Sequence, residues 1–165
     1  MPIIWLNWGN RPDRMNLPPS VLHVYDPDGR STAFGKPLPS NGSHVLEEGS
    51  WAAAVVDELA PEPGDIAVSK YRMSGFQDTE LDSILRGQGI TSLLFAGINT
   101  DRCVFSTLQD AAFLGYDCVL LRDACSTPSP AYVSRAIHFL VAQCHGFVAT
   151  AAALNTAIAS HHQES

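Results

Sequence analysis

A chain of 165 residues, 45% hydrophobic and 16% charged, is long enough to bury a core and too apolar to stay disordered. Its formal charge of −7, with no basic patch interleaved with aromatics, argues against nucleic acid and anionic membrane surfaces as partners. Four cysteines without small-scaffold spacing read as free thiols of a reducing, cytoplasmic compartment, and no apolar stretch is long enough to span a membrane.

In chain order, residues 3–8 read as a buried strand, too short and too poor in basic flanks to be a leader. Residues 10–49 are rich in Pro, Gly, Asn and Ser, as in a long loop over a site, with a short strand or turn at 21–25. Trp51, Val55, Val56 and Leu59 suggest a short helix over 50–59, ended by Pro61 and Pro63. Residues 65–70 form the next strand, with Lys70 at its C-terminal end. A helix over 79–88 puts Leu81, Ile84 and Leu85 on one face. A strand at 91–98, a helix over 104–115 and a strand at 117–122 follow. Beyond Pro130 a helix carries Val133, Ile137, Leu140, Val141 and Cys144 inward. A strand at 146–150, a helix over 151–160 and a polar tail at 160–165, with His161 and His162, complete the chain. Alternating strands and helices imply one α/β domain over 1–165 with a parallel sheet, whose ligands bind beyond the strand C-termini.

Cys103 stands where the strand at 91–98 gives way to a helix. Thr100 or Asp101 can cap that helix, leaving Cys103 in or near its first turn. The unpaired N–H groups and positive dipole end there favour a thiolate, the nucleophilic form. Position alone leaves two readings open, a nucleophile and a small buried hydrophobe; Cys118, Cys125 and Cys144 read as the latter. Lys70 shares the strand-end location, so the two can converge on one pocket. The six histidines show no ligand spacing, and neither a metal nor a cofactor is expected.

Lys70-Tyr71-Arg72-Met73-Ser74-Gly75-Phe76, with Thr79 and Leu81, resembles the lysine motif of the isochorismatase-like cysteine hydrolases. Gly97-Ile98-Asn99-Thr100-Asp101-Arg102-Cys103-Val104, with Thr107, Asp110-Ala111, Gly115-Tyr116 and Asp123-Ala124, resembles the nucleophile motif of the same family. The resemblance runs from Ile3 to about Ile158. It implies a Rossmann-like three-layer α/β/α fold with Cys103 as nucleophile and Lys70 as the cation beside it. It implies a cis peptide between Ile98 and Asn99, which would aim the Asn99 and Cys103 backbone N–H groups at one point as an oxyanion hole. Asn7, Trp8, Arg11, Arg72 and Phe76 are candidates to line the substrate pocket. Isochorismate-cleaving members open a vinyl ether without a thiol nucleophile. A cysteine here points instead to carbon–nitrogen hydrolysis of a small amide or ureido substrate, as in the ureidoacrylate, biuret and N-carbamoyl amidohydrolase branch. The nicotinamidases carry an Asp/His metal site, for which 7–49 holds no cluster. Family members are commonly homo-oligomers.

One departure stands out. The family's catalytic aspartate closes its first strand, whereas Met1-Pro2-Ile3-Ile4 matches the start of its second. Asp13, Asp26 and Asp28 come too late in the order to replace it. In the family's sheet order, 3-2-1-4-5-6, omission of strand 1 leaves a two-stranded and a three-stranded piece with open inner edges. Three readings follow: a truncated cysteine amidohydrolase, a catalytically inactive pseudoenzyme or interaction subunit of the same fold, and a redox-responsive thiol protein.

Overall fold

The computed structural model describes residues 1–164, with side chains through His161. Ser165 and the side chain of His162, both in the expected polar tail, lie outside the described residues. The chain divides into two compact units, Met1–Glu80 and Leu81–Ser165.

The first unit is built on two parallel strands, β1 (Ile4–Trp8) and β2 (Ile66–Lys70), in a register that sets Leu6 beside Val68 and Trp8 beside Lys70. Between them run α1 (Pro19–Tyr25) and two short 3₁₀ turns, Trp51–Ala53 and Asp57–Leu59. Helix α1 replaces the strand or turn expected at 21–25. Pro19 in the first turn fixes a helical φ and gives up an N–H that would have no helical partner, which outweighs the β-branched Val21 and Val24. The expected helix over 50–59 is reduced to the two 3₁₀ turns. The long loop is tied to the sheet at Asn10, which exchanges backbone hydrogen bonds with Leu46 (2.9 Å) and Glu48 (3.0 Å). Trp8, Asn10, Leu17, Ala33, Phe34, Val68 and Lys70 are buried here.

The second unit runs α2 (Leu81–Gly87), β3 (Ser92–Ile98), a π-helical turn (Thr100–Val104), α3 (Phe105–Phe113), β4 (Asp117–Ser126), α4 (Ala131–Leu140), a second π turn (Val141–His145), β5 (Phe147–Ala149) and α5 (Ala151–Glu164). Its three strands form a parallel sheet in the order β3-β4-β5. The strands thus fall into a two-stranded and a three-stranded sheet, the partition expected from the departure at the start of the chain. The core lies around β4, where Leu108, Ala111, Cys118, Leu120, Ile137 and Val141 are buried.

Two glycines set the geometry of this sheet. Gly97 has φ 124°, a conformation L side chains avoid, and sits at a register shift where Phe95 faces Leu120 but Gly97 faces Cys125. Gly146 has φ 153°, and a Cβ there would fall 2.1 Å from the Cys118 carbonyl oxygen. Only glycine lets β5 begin so close to β4.

Cys118 is buried, Cys125 half-buried and Cys144 exposed, so the inward placement expected of Cys144 and of the 40%-exposed Leu140 does not hold. A π turn holds an extra residue, so positions beyond Val141 rotate off the inward stripe of α4. The last helix continues past residue 160 to Glu164.

Candidate functional site

Lys70 ends β2 and is only 2% exposed. Its ammonium donates to the Arg72 carbonyl at 2.8 Å and lies 4.6 Å from the centre of the Trp8 ring, its register neighbour on β1. Phe34, from the long loop, stacks on the same indole at 4.7 Å with 2° between the planes, and Tyr25 meets Phe34 edge-on at 4.8 Å. A buried ammonium must be compensated, and a ring face plus a carbonyl supplies that compensation. Trp8, 8% exposed, serves here through its ring faces; its indole N–H is buried without a hydrogen-bond partner.

The other sequence candidates in this unit divide. Asn7 lines a hollow of about 160 Å³ together with Trp5, Trp8, Ala67 and Ser69. Arg72 donates to the carbonyls of Asn16 (2.6 Å) and Tyr71 (3.3 Å) and pairs with Asp78 at 3.3 Å, which ties the loop to the segment after β2. Arg11 is exposed and paired with Asp13 at 2.7 Å; that bond and the Met15 N–H hold the Asp13 carboxyl down at about 2. Asp26 is likewise engaged, with the Lys36 ammonium. Phe76 is half-buried and its N–H donates to Ser74 Oγ at 3.2 Å. The structure therefore gathers Trp8, Lys70 and the Arg72 backbone, places Asn7 with Trp8 around the hollow, and leaves Arg11 exposed on its pair with Asp13. Phe34 and Tyr25 were not legible as site residues, because only the folded loop brings them to Trp8.

In the second unit Cys103 lies in the π turn between β3 and α3, half-buried. The Ile98–Asn99 peptide is cis, as the resemblance implies. The Asn99 carbonyl accepts from the N–H groups of Arg102 (3.1 Å) and Val104 (3.2 Å), and the Cys103 carbonyl accepts from Thr107 Oγ1 at 2.6 Å. The α-helix itself starts at Phe105, one residue later than the sequence suggests, because the chain first completes a π turn, a distortion common at functional sites. Neither Thr100 nor Asp101 is its cap residue. Asp101 instead accepts from Thr127 Oγ1 (2.6 Å) on one carboxylate oxygen and Ser129 Oγ (2.8 Å) on the other. Partial burial pushes that carboxyl up, but the two hydroxyl bonds, with Arg102 nearby, outweigh it and hold it below the usual carboxylate range. Burial pushes the Cys118 thiol up to about 11 and raises Cys125 as well. Among the described residues no three His, Cys, Asp or Glu side chains are grouped to hold a metal, and no helix is long and apolar enough to cross a membrane.

A model of the isochorismatase domain matches residues 1–153. The chain belongs to the isochorismatase domain family. It is 46% identical over 121 residues to the ureidoacrylate amidohydrolase RutB of Azorhizobium caulinodans, a match covering 73% of this chain and 53% of that protein. It is also 46% identical over 112 residues to the enzyme of the same name from Agrobacterium fabrum, covering 68% and 49%. The chain thus spans about half the length of the curated relatives it matches. Among solved structures it resembles a cysteine hydrolase from Pseudomonas syringae pv. phaseolicola, at TM-score 0.80 and 25% identity, over 96% of this chain and 72% of that one. An isochorismatase family protein from Desulfovibrio vulgaris matches at TM-score 0.75 and 27% identity, over 96% and 75%. These matches establish the α/β fold of the family.

Proposed function

We propose that this chain carries the nucleophile and the cation of a hydrolase that cleaves a carbon–nitrogen bond in a small amide or ureido substrate. The Cys103 thiolate attacks the carbonyl carbon, and the oxyanion accepts hydrogen bonds from the Asn99 and Cys103 backbone N–H groups. The amine or ammonia departs, leaving a thioester that water hydrolyses. The Lys70 ammonium, held in place by Trp8 and the Arg72 carbonyl, stabilises the thiolate and the developing negative charge. Asn7, Trp8, Arg11, Arg72 and Phe76 remain substrate-contact candidates. Arg72 already holds three backbone and carboxylate partners, which makes it the weakest of them. The acid–base step is assigned to no residue of this chain: Asp13, Asp26 and Asp28 stand too late in the motif order, and Asp13 and Asp26 are engaged with Arg11 and Lys36. In this reading the protein works in the cytoplasm as a homo-oligomer.

The observation that carries the reading is Cys103 on a π turn at the head of a helix, within the family's nucleophile motif. The likeness to two ureidoacrylate amidohydrolases supports the substrate class. Ammonia release from ureidoacrylate, N-carbamoyl amino acids and simple amides tests it directly. Turnover of a ureido substrate that Cys103→Ala abolishes is the expected result; turnover that survives this substitution would overturn the mechanism.

A second reading, an inactive subunit of the same fold that pairs with another chain, rests on β3. This strand is neutral and apolar, has β4 as its only ladder partner among the described residues, and buries none of its seven residues. Absence of turnover on every substrate, together with a stable complex between copies in sedimentation, would favour that reading.

A further inference from the structure

The parallel register of β3 and β4 sets Ile98 beside Ser126, so the chain leaves both strands at the same level of the sheet. From β3 it enters the nucleophile turn; from β4 it enters the loop 127–130 that leads into α4. Asp101 stands in the first and Thr127 and Ser129 in the second. The Asp101 carboxylate closes the gap between them, one oxygen on each hydroxyl, at 2.6 and 2.8 Å. Thr127 Oγ1 is also positioned by the Ser129 N–H at 3.3 Å, so the three side chains form a small closed network.

From this geometry we infer that Asp101, Thr127 and Ser129 form a clasp that holds the π turn and thereby positions the Cys103 sulfur for attack. The inference rests on the reading of Cys103 as nucleophile, and Asp101 enters it as a positioning residue that touches no substrate. A π turn is wider than an α turn and has poorer intrinsic support, so it needs an anchor outside the helix. Hydrogen bonds to an ionised carboxylate are roughly twice as strong as neutral ones, which suits that anchor. Asp101 is two residues before Cys103 in a five-residue turn, so a shift of its Cα is carried directly to the thiol.

Three variants separate the parts. Asp101→Ala removes both acceptors, Thr127→Val combined with Ser129→Ala removes both donors while keeping the charge, and Asp101→Asn keeps one acceptor oxygen. Two readouts are taken on each. The first is backbone amide exchange over residues 100–104. The second is the iodoacetamide alkylation rate of Cys103 divided by that of the exposed Cys144, followed by peptide mass spectrometry.

Asp101→Ala and the double variant should both speed amide exchange in the turn and lower the Cys103-to-Cys144 ratio by about tenfold or more, Asp101→Asn falling between them and the parent. With a turned-over substrate, kcat should fall while KM holds. Unchanged exchange over 100–104 in both Asp101→Ala and the double variant would overturn the clasp. Faster exchange with an unchanged alkylation ratio would overturn its positioning of the thiol. A parent protein whose Cys103 reacts no faster than Cys144 would instead overturn the nucleophile reading, while the exchange data still judge the clasp by themselves.

Discussion

The two proposed catalytic residues, one in each unit, are held by opposite means. Lys70 ends a strand, is buried, and is fixed by packing: a register neighbour supplies the ring beneath it, and a distant loop supplies the aromatic that fixes the ring. Cys103 is half-buried and held through the backbone: it lies in a π turn, with the carboxylate clasp anchored two residues before it. A cation tolerates small displacement because its field falls off slowly, so packing is sufficient to place it. A nucleophile must reach an atom along one line, and backbone geometry holds to finer tolerance.

Substitutions sharpen this contrast. The largest expected effect is at the cation: Lys70→Met should lower kcat on a ureido substrate by about 10²–10³-fold, the range for loss of one electrostatic contact to a developing oxyanion. Lys70→Arg should not restore it, since a longer, planar guanidinium stacked on Trp8 spreads and displaces the compact charge that donates to the Arg72 carbonyl. Full activity in Lys70→Arg would mean that packing does not define the cation's position.

Next comes the loop aromatic. Phe34→Ala empties a 6%-exposed position and should cost about 3–5 kcal/mol by chemical denaturation. It should also raise the proteolytic susceptibility of residues 26–32, and unchanged stability and susceptibility would mean that Phe34 does not hold the Trp8 ring.

In the second unit the matching test is backbone crowding. Gly146→Ala drives a Cβ against the Cys118 carbonyl and should destabilise by about 1–3 kcal/mol. The same change should expose the Cys118 thiol, which burial otherwise pushes up to about 11 and keeps inert to iodoacetamide near neutral pH.

How far the two units could be read from sequence follows the same divide. Apolar runs set β1 to β3 to within a residue or so at each end, because a strand in a parallel sheet needs only a short apolar stretch and a turn signal. Strand β4 extends to Ser126, beyond its apolar stretch, because the register shift opposite Gly97 carries pairing through Cys125. Lys70 and Cys103 are proposed from their motifs. The groups that hold them were not legible in the sequence. Phe34 reaches Trp8 only through a folded loop with no periodicity, and α1 was hidden by two valines that ordinarily favour strands. Asp101 looked like a helix cap, since a cap and a clasp use the same residue type. What separates them is a π turn and a strand register, neither of which leaves a mark on local composition. The outward turn of Cys144 has the same origin in the second π turn.

The smallest expected effect lies in the acid titration of the clasp. The Asp101 carboxyl is held below its ordinary value, near 3.9 for an unperturbed aspartate. A carboxyl depressed in the folded state contributes stability that is complete above the ordinary value and is lost as pH falls through the folded one. The clasp should therefore be intact at every pH above about 4 and open only below it. An NMR titration of the Asp101 carboxyl carbon should give a midpoint under the ordinary value. Thr127→Val with Ser129→Ala should move that midpoint upward, because burial, which opposes ionisation, is then left with less to offset it. A parent midpoint at or above 3.9 would mean that the two hydroxyls do not donate to an ionised carboxylate in solution. In that case the backbone alone would hold the nucleophile turn.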